Sequence, residues 1–316
     1  MSRPSLAHFA LLSSLLLAAC GGDEPAGDAP SGSVESLPDD IVTGVPEGTD
    51  VWLAEIFEVV GGGYTIDEAR DLTSRPGYDN QPAFGSDGTL YFVQQEGVRT
   101  DIWSWDRGTN IKSRLTSTPD ESEYSPTPMP MGQGISMIKV EADSTQRLWA
   151  VDVDGSRPRV LLEDVQPVGY HAWFDAETVA MYVLGQPATL QIANVTTGEV
   201  RTVAENIGRS LQTVPGRRAV SYAQIGADGS STIRVWDLDA DGASDLAPSV
   251  EGGEFHAWTP DGLLLQGVGS RIWAWMEGEW TTIGDFSELG QVVSRLAVDG
   301  SGTIAIVAEP AEGGEG

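Results

Sequence analysis

The residues best suited to chemistry stand in two matching tetrads, Tyr170-His171-Ala172-Trp173 and Phe255-His256-Ala257-Trp258. The chain has three histidines and one cysteine, and the remaining histidine, His8, lies in an apolar N-terminal stretch. An imidazole set between aromatic residues and repeated in kind suits a binding rim of tunable charge. It equally suits a hydrogen-bonded packing element copied along with its repeat. Two imidazoles cannot assemble a His-rich metal site. Cys20 is the single thiol, and no G-x-S-x-G elbow is present to support serine hydrolysis. Asp237-Leu238-Asp239-Ala240-Asp241-Gly242 copies the start of an EF-hand loop, but Pro248 stands where a bidentate Glu is required. That run reads as a solvated Asp-Gly hairpin turn, with Asp237, Asp239 and Asp241 as weak candidate metal ligands. No catalytic residue and no cofactor are assigned.

What positions the tetrads is a repeat. Val51-Trp52-Leu53-Ala54, Ile102-Trp103-Ser104-Trp105, Leu148-Trp149-Ala150-Val151 and Ile272-Trp273-Ala274-Trp275 share an aliphatic residue followed by Trp. Leu190-Gln191-Ile192-Ala193 and Ile233-Arg234-Val235-Trp236 are weaker copies that fill the gap. The spacing is roughly 40 to 50 residues, the period of a four-stranded propeller blade. One unit runs from Tyr78 through Thr89–Val93, Asp101–Asp106 and Ile111–Leu115, with Ser86-Asp87-Gly88 supplying its first hairpin turn. Further units start near Leu115, Leu162, Ala204 and Glu254, and many of their strands are apolar on both faces, as blades sandwiched between neighbours require. Val292–Gly300 and Thr303–Ala308 give only a first and a second strand, while Val51–Val60 and Tyr64–Ala69 give only a third and a fourth. Joined, they complete a sixth blade and leave no bare sheet edge. The expected fold is all-β: a six-bladed β-propeller with four-stranded blades, the last one closed by the N- and C-terminal strands.

Phe84-Gly85-Ser86-Asp87-Gly88 and Trp258-Thr259-Pro260-Asp261-Gly262, each followed by an apolar second strand and an Ile-Trp third strand, resemble the TolB-like propeller repeats of periplasmic bacterial proteins. The Leu72-Thr73 and Leu115-Thr116 pairs at blade starts belong to the same pattern. The resemblance implies a six-bladed ring and a binding role. The family's namesake also carries an N-terminal α/β domain and works with a peptidoglycan-associated lipoprotein, and neither follows for this chain. In such rings the residues entering the first strands lie near the mouth of the central channel. Asp79, Glu123, Tyr170, His171, Glu254 and His256 are therefore the expected channel-mouth residues.

Composition and the N-terminus bound the partners. Asp and Glu number 47 against 18 Lys and Arg, a formal net charge of -29, which repels phosphate backbones, so no nucleic-acid partner is expected. Met1-Ser2-Arg3, the apolar run Leu6–Ala19 and Leu17-Ala18-Ala19-Cys20 read as a secretory signal over residues 1–19 that ends in a lipobox. The resemblance to bacterial lipoproteins implies a lipidated Cys20, with an outer-membrane anchor facing the periplasm as the default. Residues 20–50, rich in Gly, Pro, Ser, Asp and Glu, are expected to form a disordered tether. The propeller is assigned to 51–309 and an acidic, Gly-rich tail to 310–316. The expected function is that of a monomeric, lipid-anchored, non-enzymatic scaffold binding unidentified cell-envelope proteins and touching the membrane only through its anchor. The alternatives are a small-molecule or peptide receptor at the channel mouth and a metal-dependent lactonase-like or lyase-like propeller.

Overall fold

Runs rich in β-branched and aromatic residues, separated by Asp-Gly and Asn-containing turns, can bury both faces only if each sheet is covered on two sides. The computed structural model, which describes residues 48–311, realises this as a ring. The chain enters through β1 (Asp50–Glu58), β2 (Tyr64–Ile66) and β3 (Arg70–Asp71). Blade one follows with β4 (Asp79–Phe84), β5 (Leu90–Glu96), β6 (Arg99–Asp106) and β7 (Ile111–Arg114). Blade two comprises β8 (Ser122–Pro128), β9 (Ile135–Val140), β10 (Gln146–Val151) and β11 (Arg159–Val160). Blade three is β12 (Val168–Trp173), β13 (Thr178–Val183), β14 (Thr189–Asn194) and β15 (Val200–Glu205). Blade four is β16 (Ile207–Thr213), β17 (Ala219–Ile225), β18 (Ser231–Asp237) and β19 (Gly242–Pro248). Blade five is β20 (His256–Trp258), β21 (Leu264–Val268), β22 (Arg271–Met276) and β23 (Glu279–Asp285). The chain then ends in β24 (Gln291–Val298) and β25 (Thr303–Pro310).

Blades one to five are antiparallel meanders of four strands each. The sixth is assembled from both ends of the described chain, in the order β24, β25, β1, then β2 and β3. β1 pairs antiparallel with β25 from Asp50↔Ala308 to Glu55↔Thr303. The outer strand, expected as one run over Tyr64–Ala69, is instead broken in two: β2 pairs with the far half of β1 and β3 with the near half. The break has a local cause. Asp67 Oδ1 accepts the Glu55 amide at 2.7 Å, so a carboxylate takes over one rung of the ladder.

Burial falls from the middle of each blade outward. Second strands are buried almost throughout, as in β9 and β25, whereas β7 is exposed along its whole length. The core is therefore divided among the seams. Val93 and Ile102 of blade one, Met137 and Ile138 of blade two, and Trp173 of blade three share one cluster. Tyr170, Tyr182, Leu211 and Tyr222 fill the seam between blades three and four, and Leu265, Ile272, Leu296 and Ile304 that between five and six. Turn glycines keep the seams tight. Gly155 has φ +80°, and a Cβ there would sit 2.1 Å from the Leu115 carbonyl oxygen, so blade two can approach the end of blade one only with a glycine in place.

Deleting residues 291–316 removes β24 and β25, which bares the β1 edge and the face of blade five. The truncated protein is expected to aggregate, as measured by size-exclusion chromatography with light scattering, and a folded monomer would contradict the split blade.

Candidate functional site

The six first strands, β4, β8, β12, β16, β20 and β24, line a central cavity of about 280 Å³. Five of the six are not regular strands. Register shifts interrupt the pairing between Asn80 and Ala83, Tyr124 and Thr127, Val168 and Tyr170, Ile207 and Leu211, and Val293 and Arg295. Gln81 at φ 54° and Ser125 at φ 52° lie inside two of these bulges in the left-handed region, which non-glycine residues seldom enter. Such bulges re-aim side chains, and here they set what the channel wall presents.

At one end of the channel the wall gathers cations and aromatic rings. Arg295 of β24 donates to Asn80 Oδ1 of blade one at 2.7 Å and to the Tyr170 hydroxyl of blade three at 2.9 Å. Its guanidinium lies 3.8 Å from the centroid of the Phe255 ring beside blade five. Arg209 of β16 lies 5.5 Å from the centroid of the same ring and makes a two-pronged salt bridge to Glu254 at 2.5 Å. Tyr170 in turn packs edge-on against Tyr182, with ring centroids 6.1 Å apart. Arg295 thus ties four blades together across the channel end.

The two histidines line the same cavity but are buried, at 5% and 2% exposure. Each belongs to a clasp between adjacent blades. His171 Nε2 lies 2.7 Å from Ser136 Oγ on the second strand of the preceding blade, and Trp173 Nε1 donates to that oxygen at 2.9 Å. His256 Nε2 lies 2.7 Å from Ser221 Oγ, and Trp258 Nε1 donates to it at 2.9 Å. The serine hydroxyls have carbonyl acceptors of their own, Thr127 O at 3.0 Å and Gln212 O at 3.2 Å. With the serine proton given to the carbonyl, the imidazole carries its hydrogen on Nε2 and donates it to the serine. His256 Nδ1 then accepts from Ser210 Oγ at 2.9 Å, which satisfies both ring nitrogens. Burial holds both imidazoles neutral, pulling each pKa down to about 3.

The expected mouth residues accordingly separate. Tyr170, His171 and His256 line the cavity, and Glu254 sits at its edge through Arg209. Asp79 and Glu123 are not among the lining residues. Asp79 is buried and paired with Arg75 at 2.9 Å, and its burial pushes the carboxyl up to about 6 against the pull of that arginine. Glu123 is likewise buried, which raises its pKa; it lies 3.3 Å from Lys139 and is hydrogen-bonded by the Thr116 hydroxyl. The acidic turn between β18 and β19 does not converge. Asp237 pairs with Arg217 at 2.6 Å, Asp239 with Arg218 at 2.5 Å and Asp241 with Arg201 at 2.5 Å, and Asp237 Oδ1 also caps the turn by accepting the Asp239 and Ala240 amides. Among the described residues no cluster of three or more His, Cys, Asp or Glu side chains could hold a metal ion. Cys20 and the signal lie outside the described residues. Sequence reasoning missed Arg295 and Arg209, and named Phe255 only as the first residue of its tetrad. Only the positions of the two arginines within two different first strands, β16 and β24, seen once those strands are aligned, would have pointed to them.

His256→Ala leaves the Ser210 and Ser221 hydroxyls without their ring partners, and the expected loss is about 2–4 kcal/mol near pH 7.5. The folded-state pKa lies below the unfolded value, so the stability contributed by the neutral ring is complete above about pH 6.5 and is lost as pH falls from there toward 3. The difference between wild type and variant in urea melts should therefore shrink below pH 6.5 by about 1.4 kcal/mol per pH unit. A difference that stays constant from pH 7.5 to 5 would show that the ring is not held neutral.

The sequence matches no protein-family model and no curated protein. Solved structures do share the architecture. A TolB candidate from Agrobacterium tumefaciens superposes with a TM-score of 0.64 at 14% identity, covering 84% of this chain and 100% of that one. TolB from Acinetobacter baumannii gives 0.56 at 14% identity, covering 83% of this chain, which spans 64% of that longer protein. A gluconolactonase from Xanthomonas campestris gives 0.59 at 12% identity, covering 84% and 99%. At such identities the likeness is one of fold. The ring of six four-stranded blades thus shares its propeller fold with the TolB structures.

Proposed function

We propose that the protein is a cell-envelope scaffold, held to the membrane through a lipidated Cys20, that binds a protein partner at the end of the channel where Arg295 lies. The cluster of Arg295, Phe255, Tyr170 and Arg209 carries this reading. Arginine and aromatic side chains gathered at a concave mouth have the composition of interface hot spots, since each combines a large contact area with directed hydrogen bonding. The surrounding charge strengthens the argument. On a chain of net charge -29, a mouth lined by Arg295 and by Arg209 with its Glu254 partner, with no Asp or Glu in the lining itself, is a local exception, and it favours a partner segment that brings carboxylates. The superposition on TolB structures supports a binding ring in the envelope, and the Leu17-Ala18-Ala19-Cys20 run supports the anchor.

Two measurements test the reading. Crosslinking in the native cell, followed by mass spectrometry, is expected to retrieve one envelope protein with the wild type and to lose at least nine-tenths of it with Arg295→Glu. The outer-strand reversal Arg271→Glu, at the Arg271–Asp285 pair, should retain it. Equal capture by both variants would remove the channel end as the binding face. Cys20→Ser is expected to abolish lipidation and membrane fractionation, and a variant of unchanged mass that still partitions with membranes would overturn the anchor.

A further inference from the structure

Arg295 is the cation on which the channel-end face turns, and a guanidinium on a long side chain recognises a partner well only if it is held ready. Other blades hold it. Asn80 Oδ1 accepts from Arg295 at 2.7 Å and from the Gln81 amide at 2.7 Å, while Asn80 Nδ2 donates to Thr49 Oγ1 at 3.3 Å. Thr49 Oγ1 in turn donates to the Asp79 carbonyl oxygen at 3.0 Å. Donation along this chain of bonds has one direction. The Asp79 carbonyl can only accept, so the threonine proton goes to it and Thr49 Oγ1 meets Asn80 as an acceptor. Asn80 must therefore turn its NH₂ group to Thr49, which leaves its oxygen for Arg295. A flipped amide would set that NH₂ against two donors, the Arg295 guanidinium and the Gln81 N–H. Thr49 and Asn80 are both buried, at 7% and 4% exposure, where a lost hydrogen bond is not replaced at low cost.

Thr49 stands where the N-terminal segment joins the ring. Its amide donates to the Gly77 carbonyl at 3.1 Å and its carbonyl accepts the Asp79 amide at 2.9 Å, which makes an isolated parallel bridge to Tyr78 at the head of blade one. The next residue, Asp50, begins β1, the strand that closes the sixth blade on β25. The seat of Thr49 is thus two hydrogen bonds away from the guanidinium at the channel end. We propose that Thr49 and Asn80 are positioning residues for the channel-end face: the seating of the chain at Thr49 orients the Asn80 amide, and the Asn80 oxygen presents Arg295 to a partner's carboxylate. The inference rests on the channel-end reading for its use, but the relay from Thr49 through Asn80 to Arg295 is measurable without any partner. By linkage, a partner that engages Arg295 in its Asn80-bound position also strengthens the seat of Thr49, and whatever unseats Thr49 weakens the mouth. The point at which residues 1–47 join the ring is thereby a point of control over the binding face.

NMR of the full chain, isotope-labelled at the arginine nitrogens, reads the rotation of the Arg295 guanidinium about its Nε–Cζ bond, with the resonance assigned by its loss in Arg295→Lys. Rotation is slow while both Nη atoms are held, one by Asn80 and the other by Tyr170. Thr49→Val keeps the β-branched shape and the backbone bridge but removes the hydroxyl, and it is expected to speed the rotation by about five-fold or more. Thr49→Ser keeps the hydroxyl and should restore the wild-type rate. Thr73→Val is the control. Thr73 Oγ1 is likewise buried and bonds the Val51 amide and Asp50 Oδ1 beside the same junction, but it is not hydrogen-bonded to Asn80, so its loss should lower the melting temperature and leave the rotation unchanged. In the native-cell crosslinking, Thr49→Val should lose about four-fifths of the captured partner and Thr49→Ser should keep it. The proposal is overturned if Thr49→Val rotates at the wild-type rate, if Thr73→Val speeds the rotation as much, or if Thr49→Val captures the partner as well as the wild type does. Failure of the wild type to capture any envelope protein would instead remove the channel-end reading, and the rotation rates would still decide the relay.

Discussion

A blade whose two faces are both apolar has no stable existence outside a closed ring, and the ladder between β1 and β25 is what closes this one. Val51, Leu53, Ile304 and Ile306 are almost wholly buried on those two strands, so the closing pairing is also a part of the core. Every seam inherits its tightness from this closure. An open ring would let blades five and one drift from blade six and uncover clusters that have no cover of their own. The inner edge is held separately, by Arg295 reaching from the composite blade to blades one, three and five.

The interior of the ring and its surface follow different electrostatic rules. Outside, single arginines are shared among the more numerous carboxylates, as in Arg218 between Asp175 and Asp239, and exposed pairs of this kind contribute little to stability. In the two clasps neutral donors and acceptors take the place of charges: Ser136 with His171 and Trp173, Ser221 with His256 and Trp258. Buried where ionisation is costly, these groups are paired as neutral species. The channel wall is therefore held by neutral hydrogen bonds between blades, while Arg295 and Arg209 bring charge to it.

The architecture was readable because periodicity is a property of the chain itself. The third strands with an aliphatic residue before Trp recur at Trp103, Trp149 and Trp273, and the incomplete units at the two ends could be added together without knowing any contact. The channel was less readable. Asp79 and Glu123 sit where a regular first strand would reach the mouth, yet bulges at Gln81 and Ser125 shift the wall, and the two carboxylates are drawn instead to Arg75 and Lys139. The likeness of the two His tetrads was visible, whereas the serines that decide their role lie on other blades. Arg295 is more distant still: its partners Asn80 and Tyr170 stand 215 and 125 residues away, and no local pattern marks such a meeting.

The clasps carry an arithmetic of their own. In both, the serine precedes its histidine by 35 residues, because the strand holding one and the strand holding the other belong to consecutive copies of the same unit. A change at either member leaves the other buried without its partner, so the two positions are expected to evolve as a pair while the intervening loops drift freely. Relatives of this chain should show correlated substitution at that fixed offset, with Ser and His retained together or replaced together by apolar residues. The divergence of the family would then be paced by joints between blades, each changing as a unit.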